Sequence, residues 1–301
     1  MKTTIHLSAG VKACFFVLGT AILLLPRVAS AWSDDGHELV AQVAYDRLTP
    51  AKRQKLDAIV ATLTSGRAPY NAVTAACWPD DIKNQRQSTK PWHYIDLPVP
   101  NGPAPTAPNV VERIGAMKQQ YQQAAAGADT PTNRRKKAEA IAFIIHFAGD
   151  IHQPLHAAEH SNDGGGNNVT IANAAQGTNL HHFWDGAYGA HMAANGHAVV
   201  PGNSARPSSA ANSTFHQRAQ AIVSQYSPGM NWNHLGQDYG AWAQETHDKA
   251  VSIAYGQLQP SGANSNPATL SATYVTDAQA LAKKRIALAG YRLAALLESI
   301  L

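Results

Sequence analysis

The chain has 301 residues, 24 Lys and Arg against 20 Asp and Glu, and two cysteines, Cys14 and Cys77. Residues 1–31 hold Lys2, Lys12 and Arg27 and no acid, so without them the balance is 21 against 20, which excludes a duplex-binding protein relying on general basic charge. The same cut leaves Cys77 alone, which excludes an internal disulfide and predicts a small buried apolar side chain there.

The first element reads as a leader. Lys2 and Lys12 give a positive start, residues 13–26 are apolar but short for a bilayer span, and Ala29-Ser30-Ala31 has the small-x-small pattern of a cleavage site. Residues 1–31 are therefore expected to be a signal peptide. Residues 32–301 are then a secreted or periplasmic domain with no membrane anchor after cleavage. The spacing predicts a helix over residues 38–48, with Leu39, Val40, Val43, Ala44 and Leu48 on one stripe. Thr49-Pro50 opens the next, running to about residue 63. Further helices are predicted over residues 110–125, 132–151, 213–225, 239–258 and 276–301. Breaker-rich loops fall at 98–108, 161–177, 201–212 and 260–268. Residues 168–172 are the best strand candidate, as part of a short hairpin. The run Arg134-Arg135-Lys136-Lys137 near a helix start reads as a solvated face in preference to a nucleic-acid patch. The fold class expected is all-α, a single helical domain with long loops.

Histidine and aspartate placement carries the chemistry. Of fourteen His, only His6 lies in the leader. His146 and Asp150 stand four apart, one turn along a helix face, and His181 and Asp185 repeat the arrangement. Pro154 ends the helix after Asp150 and turns His156 back toward the same place. Imidazole and carboxylate suit zinc, and a carboxylate has two oxygens, so one Asp can bridge two ions. Alone, His146 on an apolar helix would be a satisfied core histidine. Asp150 and His156 reverse that reading, because a buried carboxylate without a counter-charge is expensive.

With those residues in view, the chain closely resembles the S1/P1 nuclease family, whose relatives include zinc-dependent phospholipases C. Five blocks carry the resemblance in order: the Trp-Ser-Asp-Asp-Gly-His run from Trp32 to His37, Trp78-Pro79-Asp80, the Trp-His-Tyr-Ile-Asp run from Trp92 to Asp96, His146 to His156 with its Gln153-Pro154 step, and Asn179 to Asp185. The resemblance implies the phospholipase C/P1 nuclease helical fold and three zinc ions per chain. Asp80, His93, His146 and Asp150 would hold the first; His156, His181 and Asp185 the second. His37, Asp150 and the backbone of Trp32 would hold the third, Asp150 bridging. A free α-amino group and its own carbonyl can chelate a metal, a ligand that exists only once Trp32 is first. Asp81 then reads as an outer acid, His182 as a non-ligand and His152 as structural.

The resemblance further implies a metal-bound hydroxide as nucleophile, oriented by Asp80, with Asp80 and Asp150 as the catalytic acids. Tyr94, where the family commonly has Phe, would stack an unpaired base, and Asp96, Lys83 and Asn167 would complete the substrate contacts. The implied substrates are single-stranded DNA and RNA, cut to 5′-phosphorylated products, and 3′-nucleotides. A monomer is expected. The competing readings are a phospholipase C on the same scaffold, which typically has Glu where Asp185 stands, and a non-enzymatic zinc carrier.

Overall fold

Prolines and side-chain caps set most of the helix starts. The structure, a computed structural model, describes residues 32–63, 70–106, 108–173, 176–189, 214–227, 236–258 and 267–301. Helix α1 (Asp34–Tyr45) opens with two acids, which suit the positive end of the helix dipole. Helix α2 (Pro50–Val60) places its proline in the first turn, where the missing N–H costs nothing. A short α3 (Trp78–Ile82) follows a 3-10 turn, Thr74–Cys77. In α4 (Val110–Ala126) the Asn109 side chain accepts from the Val111 and Glu112 amides, and in α5 (Pro131–Asp150) Thr130 accepts from Asn133. Asn179 caps α6 (Leu180–Gly186), and α7 (Thr214–Gln225) follows. Asp238 caps α8 (Tyr239–Lys249) and Ser271 caps α9 (Ala272–Ile300).

These helices match the sequence reading apart from shifted ends and one change of type: the first spans Asp34–Tyr45 in place of 38–48, and the second ends at Val60 in place of about 63. The last one starts four residues before the expected 276, because the Ser271 hydroxyl takes the Tyr274 amide and fixes the start there. The helix expected over 239–258 stops being α-helical at Lys249 and continues as a π-helical turn, Ala250–Tyr255. Among the described residues there is no strand. In place of the hairpin expected at 168–172, Thr170 and Ile171 make isolated bridges to Asn179 and Ala268. The leader, the loop at 201–212 and most of the loop at 260–268 lie outside the described residues.

Helix α5 is the axis of the fold. Every residue from Ala140 to Asp150 is buried, and α1, α4, α9 and the Thr74–Cys77 turn pack around it. A helix enclosed on all sides must supply partners for any polar residue it carries. In that stretch those residues are His146 and Asp150. Just beyond, the chain end of α5 is braced from α8 and α9. Arg285 donates to the His152 carbonyl and to Glu245, while Arg292 donates to Glu245 at 2.6 Å and to His152 Nε2 at 2.8 Å. Thr246 Oγ1 donates to the Ile151 carbonyl. Buried ion pairs of this kind fix geometry more surely than they add stability. Cys77 is buried, its thiol facing the Asp34 carbonyl and Glu38, and no helix among the described residues is long and apolar enough to cross a membrane.

Candidate metal centre and base pocket

The end of α5 meets five other segments at one place. His146 and Asp150 come from α5, His37 from α1 and Asp80 from α3. His93 ends the 3-10 turn Gln87–His93, and His156 sits in the turn Pro154–Ala157. His181 and Asp185 come from α6, one helical turn apart. Every one of these except Asp80 is a buried side chain, and Asp80 is only 8 % exposed at its carboxylate.

Three sets of ligand atoms converge: His37, His146 and Asp150; Asp80, His93 and His146; and His156, His181 and Asp185. The two oxygens of Asp150 diverge. Oδ2 lies 3.1 Å from His93 Nδ1 and 3.2 Å from His146 Nε2, while Oδ1 faces His37 Nε2 at 3.4 Å. Asp80 Oδ1 is 3.7 Å from both His93 Nδ1 and His146 Nε2, and Asp185 Oδ1 is 3.6 Å from His181 Nε2. Ligands about 2.1 Å from a tetrahedral ion stand roughly 3.4 Å apart, so these separations suit a shared cation.

The hydrogen bonds behind the rings supply an independent test. A carbonyl can only accept, so each ring nitrogen bonded to one must carry the proton. His156 Nδ1 donates to the His93 carbonyl at 2.8 Å and His181 Nδ1 to the Gly165 carbonyl at 2.7 Å. Their Nε2 atoms are then left with lone pairs facing each other at 3.1 Å. His146 Nδ1 donates to the Ala76 carbonyl at 2.6 Å, which aims its own Nε2 inward. Both ring nitrogens of His37 and Asp150 Oδ1 have no hydrogen-bond partner. Opposed lone pairs and unpartnered buried acceptors are unfavourable unless a cation lies among them. The residues fit metal.

Charge behaves accordingly. Burial, then the neighbouring His146, pushes His37 down to about 4, and burial followed by His156 takes His181 to about 3. Both are neutral, ligand-ready imidazoles at pH 7. For His146, burial is outweighed by the Asp150 and Asp80 carboxylates, which lift it to about 8. Burial of Asp80 is likewise outweighed, by Lys83, His146 and His93, so its carboxyl lies far below the usual range. Burial drives Asp185 the other way, against a 2.7 Å hydrogen bond from Gln153.

Trp32 is fully buried, its Nε1 donating to the Gly149 carbonyl at 2.9 Å, and the Ser33 amide donates to the Asp185 carbonyl. The two residues before α1 are thus tied to α5 and α6. Gly149 is needed for this approach, since a Cβ there would lie 2.8 Å from His37 Nδ1.

A cavity of about 320 Å³ opens beside the cluster, walled by His93, His156 and His181. Lys83, Tyr94, Asp96 and Asn167 all line it. Tyr94 is the exposed large aromatic among the described residues, and Lys83 Nζ reaches Asp80 Oδ1 at 3.0 Å. Burial, with Glu159 and Asp163 adding to it, raises Asp96 to about 6, so it is ionised at neutral pH. Of the residues read as non-ligands, His152 points to Ala148 and Arg292, Asp81 accepts from the Tyr70 hydroxyl, and His182 accepts from the Thr178 amide.

Several residues of the site were not singled out in the sequence. Lys90 lines the cavity. Glu159 accepts from the Gly164 and Gly165 amides, and Asp163 caps Gly166 and takes the Tyr255 hydroxyl from the π-helical turn. Together they shape the Gly164–Gly166 loop, whose three glycines all have positive φ and whose Gly165 carbonyl orients His181. A Cβ on Gly165 would lie 2.7 Å from the Leu155 carbonyl. The triple glycine marked a turn, but its carboxylate supports come from side chains that the sequence does not tie to it.

Comparison with known proteins gives the same direction. The S1/P1 Nuclease family matches residues 32–301. Endonuclease 4 of Arabidopsis thaliana is 26% identical over 299 residues, covering 90% of each chain. Nuclease S1 of Aspergillus oryzae is 26% identical over 94% of this chain and 96% of its own. Nuclease P1 of Penicillium citrinum is 28% identical over 87% and 95%. The chain therefore belongs to the S1/P1 nuclease family, a hydrolase of phosphodiester bonds whose buried His and Asp clusters could hold metal ions.

Proposed function

We propose that this chain is an exported zinc-dependent endonuclease that cuts single-stranded DNA and RNA to 5′-phosphorylated products, with 3′-nucleotidase activity on mononucleotides. Residues 32–301 form its single catalytic domain and residues 1–31 its leader; the family match begins at residue 32, directly after the Ala29-Ser30-Ala31 step. One observation carries the reading. The cavity that presents an exposed aromatic face is walled by three of the converging histidines, His93, His156 and His181. An unpaired base stacked there brings its phosphodiester to the ligand cluster, and a base held in a duplex cannot stack.

Three zinc ions are assigned: one to Asp80, His93, His146 and Asp150, one to His156, His181 and Asp185, and one to His37, Asp150 and the backbone of Trp32. The diverging oxygens of Asp150 support its place in two sites. Zinc there supplies Lewis acidity, which activates water near neutral pH and neutralises charge building on the phosphate. The protein does the rest. Asp80, kept ionised by Lys83, accepts a hydrogen bond from the attacking water and aligns it with the bond to be broken. Lys83 offers positive charge to the phosphate, Asp96 accepts from a base edge, and Asn167 contacts the base from the glycine loop. Trp32 and His37 close the side toward the departing 3′ oxygen.

The direct test is metal content per chain alongside end analysis on a short single-stranded oligonucleotide. Zinc at three per chain, 5′-phosphate ends and loss of activity on chelation with recovery on zinc addition are expected. Activity after complete metal removal, or 3′-phosphate ends, would overturn the reading. Tyr94→Ala should raise KM for single strands about 5- to 150-fold, since stacking on an aromatic is worth roughly 1–3 kcal/mol per base. Tyr94→Phe keeps the ring and should stay near the parent. Equal KM for Ala and Phe variants would show that no base stacks there.

A further inference from the structure

Two further depressions, which share Thr62 and Arg134, lie outside the base cavity. Past Lys90 at its edge, the chain leads back to Arg86, whose guanidinium lies over the Trp78 ring and holds Glu139 through two hydrogen bonds of 3.0 and 2.9 Å. Trp78 and Glu139 line a second depression, of about 250 Å³, together with Arg134 and Arg135. Arg134 is shared with a third, of about 310 Å³, whose other cations are Lys55 and Lys137. Arg134 in the first turn of α5 and Asp150 at its end are separated by a helix rise of about 24 Å, equal to roughly seven stacked nucleotides at 3.4 Å each.

The charges along this arc do not cancel. Glu139 is shared by Arg86 and Arg135, and Asp129 is shared by Arg134 and Lys137. Each carboxylate thus holds two cations in place and neutralises one. Each of the two clusters therefore keeps one surplus positive charge on a domain whose overall balance is close to zero, while Lys55 donates to the Leu301 carbonyl oxygen. At the floor of the third depression, the buried Tyr121 hydroxyl has no hydrogen-bond partner. A donor of that kind, ringed by Lys and Arg, suits an anionic oxygen.

We propose that this arc is a second nucleic-acid contact surface, which takes phosphates of an extended single strand several nucleotides away from the bond being cut. The inference rests on the nuclease reading above, and it deepens it by making chain length part of substrate recognition. The run Arg134 to Lys137, a solvated face by sequence, is its central part. Exposure is what permits the contact: the Arg134 and Arg135 side chains are 45% and 72% accessible.

The test uses the zinc-loaded chain beginning at Trp32, with Arg134→Gln and Lys137→Gln combined, both far from the metal cluster. KM is measured on a twelve-nucleotide single strand and on a dinucleotide across a range of salt. The longer strand should show a KM about tenfold higher at low salt and a log–log salt slope shallower by about 1.4, at about 0.7 per lost phosphate contact. Dinucleotide kinetics should not change. Unaltered KM and slope on the longer strand, or equal losses on both substrates, would overturn the proposal. Binding of a phosphorothioate twelve-mer, followed by anisotropy, separates the two questions. A parent chain that cleaves neither substrate removes the nuclease reading, while the surface still stands or falls on whether the variant binds that strand more weakly.

Discussion

Asp150→Asn is expected to lower kcat/KM on single-stranded DNA by more than about 100-fold, the upper end of what losing a mere outer-shell partner costs a metal site. The substitution preserves volume in a place with no exposed surface. It removes the charge that faces His37 through one oxygen and His93 and His146 through the other. Two assigned ions lose a ligand at once, so metal content should fall below three per chain as activity falls. The amide NH2 can also donate to an imidazole lone pair, and so occupy the electron pair that a cation would use. Normal turnover with full zinc would mean that Asp150 does not bridge.

The second large effect concerns the start of the chain. A protein that keeps even Ala31 before Trp32 should bind two zinc ions in place of three and lose about 10²–10³-fold in kcat, comparable to removing one electrostatic stabiliser of a developing oxyanion. The cause is the α-amino group. Its ordinary pKa of about 7.7–8.0 makes it an available ligand at neutral pH, and a peptide bond to residue 31 removes the lone pair. The geometry around it is demanding: Trp32 is buried, its indole is bonded to Gly149, and the next amide is bonded to the Asp185 carbonyl. Thermal unfolding of the extended chain measures any packing cost separately from the metal loss. An extended chain that holds three zincs and turns over normally would sink the assignment of Trp32 as a ligand.

The helices and the nature of the site were readable because both rest on local chemistry. Apolar spacing, Thr49-Pro50, and His-x-x-x-Asp at one-turn intervals are short-range patterns, and a helix converts them directly into a face. The break after Asp150 that returns His156 was equally legible, since Pro154 cannot continue α5. His152 and His182 could be set apart by spacing, and Asp81 by the family pattern; the structure turns each toward other partners.

What the order of residues determined, then, was the ligand types, the helix faces that carry them and the family to which the chain belongs. Tertiary structure alone decided which lone pairs meet. The carbonyls of Ala76, His93 and Gly165 set the tautomers of His146, His156 and His181, and no pattern assigns a backbone carbonyl to a ring many residues away. The same holds for Glu159, Asp163 and Tyr255 beneath the glycine loop, and for Glu139 and Asp129 among the arginines of α5. These are long-range electrostatic partnerships, created only when burial brings separate segments into one low-dielectric space.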